Sequence, residues 1–360
     1  MTRSAGRAGA EVKELCAIGP VGPVGSVGSM RASLFESSSA RRRPGLCTGS
    51  TSRAHIRALS EHRGGMELIG LDESVSERIL SRSELRELGY SAKRITRAVR
   101  DGTITRVRRD HYLLTAEHES LIAAVRIGGR LTCVSAIAAL APDAFVFDDE
   151  HVHVHVERGG SRLRAAGDSS KRWSQKTADG VRVSWGDLTE LPASRHLVAI
   201  TDAVRMMIRC RPEREVVATI DSLLRLGAVS MAQCREMISS VPARYRQILA
   251  QVDPRAESGT ETFMRLILCR IGVDFAVQVK IAGVGRVDFV VDGFLIIECD
   301  SKQFHEGWQK QRADRRRDLA AAARGYFTLR VLAEDLLHHP EDVERAVREL
   351  LAARAAWPGR

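Results

Sequence analysis

The chain has 360 residues, with 55 Lys and Arg against 45 Asp and Glu, giving a net charge of +10 and a pI near 9.6. That length points to about two or three domains. No uninterrupted apolar run approaches the roughly twenty residues of a membrane span, and the seven cysteines are scattered without a C-x-x-C pair, several in apolar helix or strand patterns, which argues against disulfides or zinc ligands. They read as small buried hydrophobes in a cytoplasmic protein. The positive balance favours an acidic polymer such as nucleic acid, although an Arg-rich proteome would give the same sum.

Residues 1–65 differ from the rest. Gly19-Pro20-Val21-Gly22-Pro23-Val24, the run Ser37-Ser38-Ser39 and Arg41-Arg42-Arg43 show no sustained period. Such a segment cannot bury enough apolar surface to offset its ordering entropy. The expectation is disorder, with Met66 as the native start; an intact mass including residue 1 refutes the latter.

From residue 76 to 115 short helices replace it. Ser83 to Gly89 reads as a capped helix closed by glycine. Ser91 caps a second helix, Ala92 to Arg100, whose apolar Ile95, Ala98 and Val99 leave Lys93, Arg94, Arg97 and Arg100 outward. Thr103 to Leu114 alternates as a two-stranded wing carrying Arg106, Arg108 and Arg109. This order describes a winged helix-turn-helix, whose second helix can enter the major groove of DNA. A small helical adaptor with a solvated basic face is the bland alternative.

Residues 119–253 form a mixed α/β middle region. Ala123 to Leu140 is helical by period, and Asp148 to Val156 is a strand paired with Val181 to Trp185. His151, His153 and His155 share one face of it. Three histidines along one strand span roughly 13 Å, too far for one zinc ion with ligands at about 2 Å. A half-exposed strand face is expected instead. Helices then follow at Leu197 to Arg209, Glu213 to Leu226, Met231 to Ser240 and Ala243 to Gln251.

The last region, 257–356, runs helix (Ser258 to Ile271), three antiparallel strands (Ala276 to Ile281, Arg286 to Val291, Phe294 to Asp300), helix (Arg312 to Arg324), strand (Tyr326 to Leu332) and a helix opened by Pro340. Asp292-Gly293 is a hairpin signal between two apolar runs. The hairpin brings Asp288 toward Glu298 and Asp300, which share a face while Ile297 and Cys299 take the other. Three converging carboxylates call for a cation, and Mg²⁺ suits them. Taken singly, Glu298 and Asp300 are also ordinary strand-end charges. Asp314, Arg317 and Asp318 stand at helical ion-pair spacing.

Ser258 with Glu261, Val287-Asp288-Phe289, Glu298-Cys299-Asp300, His305, Asp314-Arg315-Arg316-Arg317 and Leu329-Arg330 fall in the order of the PD-(D/E)XK nuclease fold. More narrowly, the last hundred or so residues resemble very-short-patch-repair-like endonucleases. Asp300 stands where the wider fold has lysine, as in that subgroup, and Ser301 replaces a usual glycine. Residues 76–253 resemble the N-terminal part of actinobacterial proteins similar to AbiEi-type antitoxins. The carriers are the Arg-rich helix, Arg106-Val107-Arg108-Arg109 with Tyr112, Leu191-Pro192 and Thr201-Asp202. Asp110 takes the usual glycine's place in the wing turn, which Asp tolerates.

The resemblance implies an α+β multidomain protein with a C-terminal restriction-endonuclease-like domain built on a mixed sheet. It implies hydrolysis of DNA with Mg²⁺ or Mn²⁺ held by Asp288, Glu298 and Asp300. Glu261 would hold a water, His305 would act as base or leaving-group acid, and Asp314 would orient it. Lys302, Arg315 and Arg317 would meet phosphates beside the winged helix. A homodimer is compatible, and a toxin partner follows from resemblance alone. The alternative is an antitoxin-like regulator with an inactive nuclease-like domain.

Overall fold

The computed structural model describes residues 79–113, 119–174, 180–300 and 308–356. The segment 1–65, the start expected at Met66, Lys302 and His305 lie outside the described residues. The chain is mixed α/β and divides into two compact units. Of the described residues, one holds those from Ile79 to Asp143 together with Asp148–Ala203; the other holds Ala144–Phe147 and Val204 onward.

In the first unit, β1 (Ile79–Leu80) precedes α1 (Arg82–Glu87) and α2 (Ala92–Arg100), followed by β2 (Thr105–Arg108) and β3 (His111–Leu113). The three strands pair in the order β1-β3-β2, all antiparallel. The cap of α1 is Ser81 rather than Ser83. Its hydroxyl accepts the Glu84 N–H and the Glu84 carboxylate accepts the Ser81 N–H, a reciprocal box that Ser83 cannot form. Ser91 caps α2 through the Arg94 N–H. Leu85, Tyr90, Ile95, Ala98, Ile104 and Tyr112 make the core of this part. The β2–β3 turn uses Asp110 at φ 64, in the left-handed region.

Next come α3 (Glu119–Ile127), β4 (Arg130–Leu131), α4 (Cys133–Leu140), β5 (Val152–Glu157) and β6 (Val181–Gly186). The continuous helix expected from Ala123 to Leu140 is interrupted: Gly128 at φ 97 ends α3, and β4 pairs with β5. β6 pairs with β5 in parallel. β5 is therefore a middle strand, and of the three histidines expected on a half-exposed face His151, just before the strand, stays part exposed while the other two are buried. His153 is 3% and His155 0% exposed, with His153 bonded to Asp149 at 3.0 Å.

Burial also holds His196, whose Nε2 has no partner among the described residues, against the His111 ring at 5.6 Å. Burial first, then the charges of His111 and Arg195, pushes its pKa from 6.5 down to about 4. The unfolded chain thus binds this proton at a pH where the folded unit still refuses it. Stability is intact above pH 6.5 and falls as pH drops toward 4. The loss reaches roughly 3 kcal/mol at about 1.4 kcal/mol per tenfold change in proton affinity. Urea unfolding of wild type and His196→Gln between pH 7 and 4 checks this: the wild type should lose its midpoint faster, and parallel curves would refute it.

The boundary falls within α5 (Ile200–Cys210), so the middle region read as 119–253 is split. α6 (Glu213–Arg225), α7 (Met231–Ser240), a 3₁₀ turn (Ala243–Tyr245) and α8 (Ile248–Gln251) belong with the C-terminal sheet. The reason is packing: Ala218 of α6 joins the core formed with α9 (Gly259–Ile271) through Phe263, Met264, Ile267 and Leu268. The sheet contains β7 (Phe275–Ile281), β8 (Gly285–Val291), β9 (Leu295–Asp300) and, after α10 (Trp308–Ala322), β10 (Phe327–Leu332). Its order is β10-β9-β8-β7, with the β9–β10 pair parallel and the rest antiparallel. α11 (Ala333–His338), not expected from sequence, and α12 (Pro340–Ala355) complete the unit. Asp292 at φ 47 and Gly293 at φ 70 make the turn that pairs Val291 with Leu295.

Candidate functional site

Strand alternation sorts β9 into two sets. Leu295, Ile297 and Cys299 enter the core with α9 and α12. Ile296, Glu298 and Asp300 take the opposite face, which they share with Val290 and Asp288 because Val290 pairs with Ile296. Ile296 there packs with Ala321 of α10.

Asp288 is fixed by the backbone, its Oδ2 accepting the Cys299 N–H at 2.8 Å. Burial raises its pKa, and the negative charges of Glu257 and Asp300 add to the effect. Glu298 is pushed to about 7, by burial first and then by Asp288. The acids named from sequence are therefore close enough to repel one another. Hard carboxylate oxygens are the donor type that Mg²⁺ or Mn²⁺ accepts, but among the described residues Asp288, Glu298 and Asp300 do not all bring their oxygens within 4.8 Å of one another.

Two arginines already reach this cluster. Arg317 of α10 donates to Glu298 Oε1 at 2.9 Å and to the carbonyls of Arg286 at 2.7 Å and Val284 at 3.1 Å. Asp314 stands 3.9 Å from it. Arg317, expected to meet phosphates, makes these contacts within the cluster because the α10 face that carries it lies over β8 and β9. Arg330 pairs with Asp318 at 2.9 Å and lies 3.7 Å from Asp300. Arg315 is exposed on α10.

Glu261 caps α9. Its Oε1 accepts the Ser258 hydroxyl at 2.9 Å, and its Oε2 accepts the Glu257 N–H and the Gln278 amide, each at 2.8 Å. Burial and Asp288 raise its pKa. Gln278 had no sequence signal. It sits at φ 53 in the middle of β7, and only the folded strand shows its side chain reaching Glu261. The bidentate pair Arg286–Glu257, at 2.7 and 2.5 Å, was equally hidden.

In the first unit Lys93, Arg94, Arg97 and Arg100 are exposed along α2, with Arg94 also 4.7 Å over the Tyr90 ring. Lys93 and Arg97 line both of two shallow cavities along this helix, of about 380 and 500 Å³. Arg106 and Arg109 are exposed on the hairpin. Arg108 is not on that solvent face; it donates to the Arg162 carbonyl at 3.1 Å.

Residues 71–115 match the AbiEi_4 family, "Transcriptional regulator, AbiEi antitoxin". The AbiEi_4 stretch contains β1 to β3 with both α1 and α2 and ends before the middle region. It assigns nothing to the carboxylate cluster. Among solved structures the chain is similar to the RV2827C protein from Mycobacterium tuberculosis, with 12% identity, 52% of this chain and 76% of that chain covered, and a TM-score of 0.29. No curated protein matches. Among the described residues no helix is long and apolar enough to cross a membrane.

Proposed function

We propose that the chain is a DNA endonuclease, with a winged helix-turn-helix that binds duplex and a C-terminal PD-(D/E)XK-type centre dependent on Mg²⁺ or Mn²⁺. The observation carrying this reading is the placement of Asp288, Glu298 and Asp300 on one sheet face, where burial first, and neighbouring negative charge after it, raises the pKa values of Asp288 and Glu298. The AbiEi_4 match and the exposed cations of α2 support the DNA-binding half.

Asp288, Glu298 and Asp300 would hold the ion, Asp288 being oriented by the Cys299 N–H. The ion would supply charge neutralisation at the phosphoryl group and acidify a water. Arg315 would meet the scissile strand's phosphates. Gln278 and Ser258 fix the carboxylate of Glu261 at the edge of the cluster. Lys302 would contact a phosphate, and His305 would take or give the proton.

A second reading has its own observation. Arg317 and Arg330 already offset the cluster, as a silent centre in an antitoxin-like regulator would require. Incubating the protein with supercoiled plasmid, mismatched duplex and single strands in Mg²⁺, Mn²⁺ or EDTA separates the two. Metal-dependent nicking or cutting is expected. Tight binding with no cleavage on any substrate would leave the regulator.

A further inference from the structure

We propose that the segment 162–173, together with Arg108, forms a second phosphate-binding surface that extends the DNA footprint beyond α2 and the β2–β3 hairpin. The proposal rests on the DNA-binding reading of the first unit, but not on the nuclease reading.

The segment is a small hairpin after β5. The Trp173 N–H bonds the Leu163 carbonyl and the Ala165 N–H the Lys171 carbonyl, and Arg164 bridges to Arg172. Trp173 packs edge-on against Trp185 of β6 at 6.2 Å, which anchors the hairpin to its sheet. Residues 158–174 carry five basic side chains, Arg158 included, and one acid, Asp168.

The cations here are held by carbonyl oxygens. Arg108 donates to the Arg162 carbonyl at 3.1 Å, Arg126 to the Ala166 carbonyl at 3.0 Å and Arg164 to the Ser170 carbonyl at 3.3 Å. Among the described residues none of these three has a carboxylate partner. Gly128 gives Arg108 its path: a Cβ there would lie 1.8 Å from Nη1. Burial and the neighbouring Arg164 charge both disfavour the Arg108 cation. The acids nearby are committed elsewhere, Glu157 to Arg130, Asp187 to Arg158, and Asp168 to Ser170 and Lys171.

A solvated charged face has no reason to crowd guanidiniums and fix them on carbonyl oxygens. A polyanion supplies the missing counter-charge, and held cations lose little entropy on meeting it. The hairpin adjoins the β2–β3 hairpin through Arg108 itself, so one duplex bound at α2 would pass both.

The test is fluorescence anisotropy of the full chain with a labelled duplex across a salt series. Arg162→Gln/Arg164→Gln should weaken binding about tenfold and flatten the salt slope by roughly one to two, near 0.9 for each phosphate no longer neutralised. Lys171→Gln/Arg172→Gln, at exposed positions, serves as a second variant if the first lowers the melting temperature. Unchanged affinity and slope in a folded variant, while Arg97→Ala still weakens binding, would overturn the inference and leave the α2 reading intact. No duplex binding by the wild type would overturn both.

Discussion

Replacing Asp288 by Asn should reduce metal-dependent DNA cleavage about a thousandfold or more while leaving duplex affinity within about twofold. Asn is the informative change because its side-chain oxygen can still accept the Cys299 N–H, which the native Oδ2 takes at 2.8 Å. The strand pairing survives and only the charge is lost. A second readout does not depend on turnover. Asp288 is the largest charge raising the Glu298 carboxyl to about 7, so Asp288→Asn should lower that value when carboxyl carbons are followed by NMR. Unaltered cleavage would sink the catalytic assignment. An unaltered Glu298 titration would sink the proximity of the two acids.

The largest stability effect should come from Asp221, far in sequence from the acids of the sheet. It is 1% exposed on α6. Its Oδ2 accepts from Arg265 and from Thr262, each at 2.9 Å, and its Oδ1 from the Asp253 N–H at 2.7 Å. Burial still raises its pKa to about 6 against the pull of Arg265. Asp221→Ala would strand the Arg265 cation inside the unit, at a cost of about 3–5 kcal/mol. Asp221→Leu with Arg265→Met should recover most of this, since an apolar pair of similar volume needs no counter-charge. Denaturant midpoints at unchanged slope measure both. A single substitution costing under about 1 kcal/mol would show that water reaches Arg265 after all.

Local chemistry was the legible part of this chain. Ser91, the Asp292-Gly293 turn and Pro340 mark element ends through their own backbone preferences, and the elements lie where those residues put them. Ser81 and Ser83 look alike in sequence; the reciprocal bond with Glu84 decides between them, and only spacing to the acid could have shown it. The acid triad could be placed on one face by counting alternate residues. Which cations would meet it could not, because Arg317 follows Glu298 by 19 residues and reaches it only once α10 lies over the sheet. The i, i+3 rule finds Asp314 for Arg317, yet the closer partner is Glu298. The histidines of β5 were misjudged for the same reason: period reports that a strand exists, not that it has neighbours on both edges.

The parallel seam between β9 and β10 sets Arg330 directly beside Glu298. Both arginines that offset the acids therefore leave the ribosome after them. The nascent β8–β9 ribbon must carry its negative charge bare until α10 and β10 have been made. Final consolidation of this sheet is thus tied to the arrival of α10 and β10.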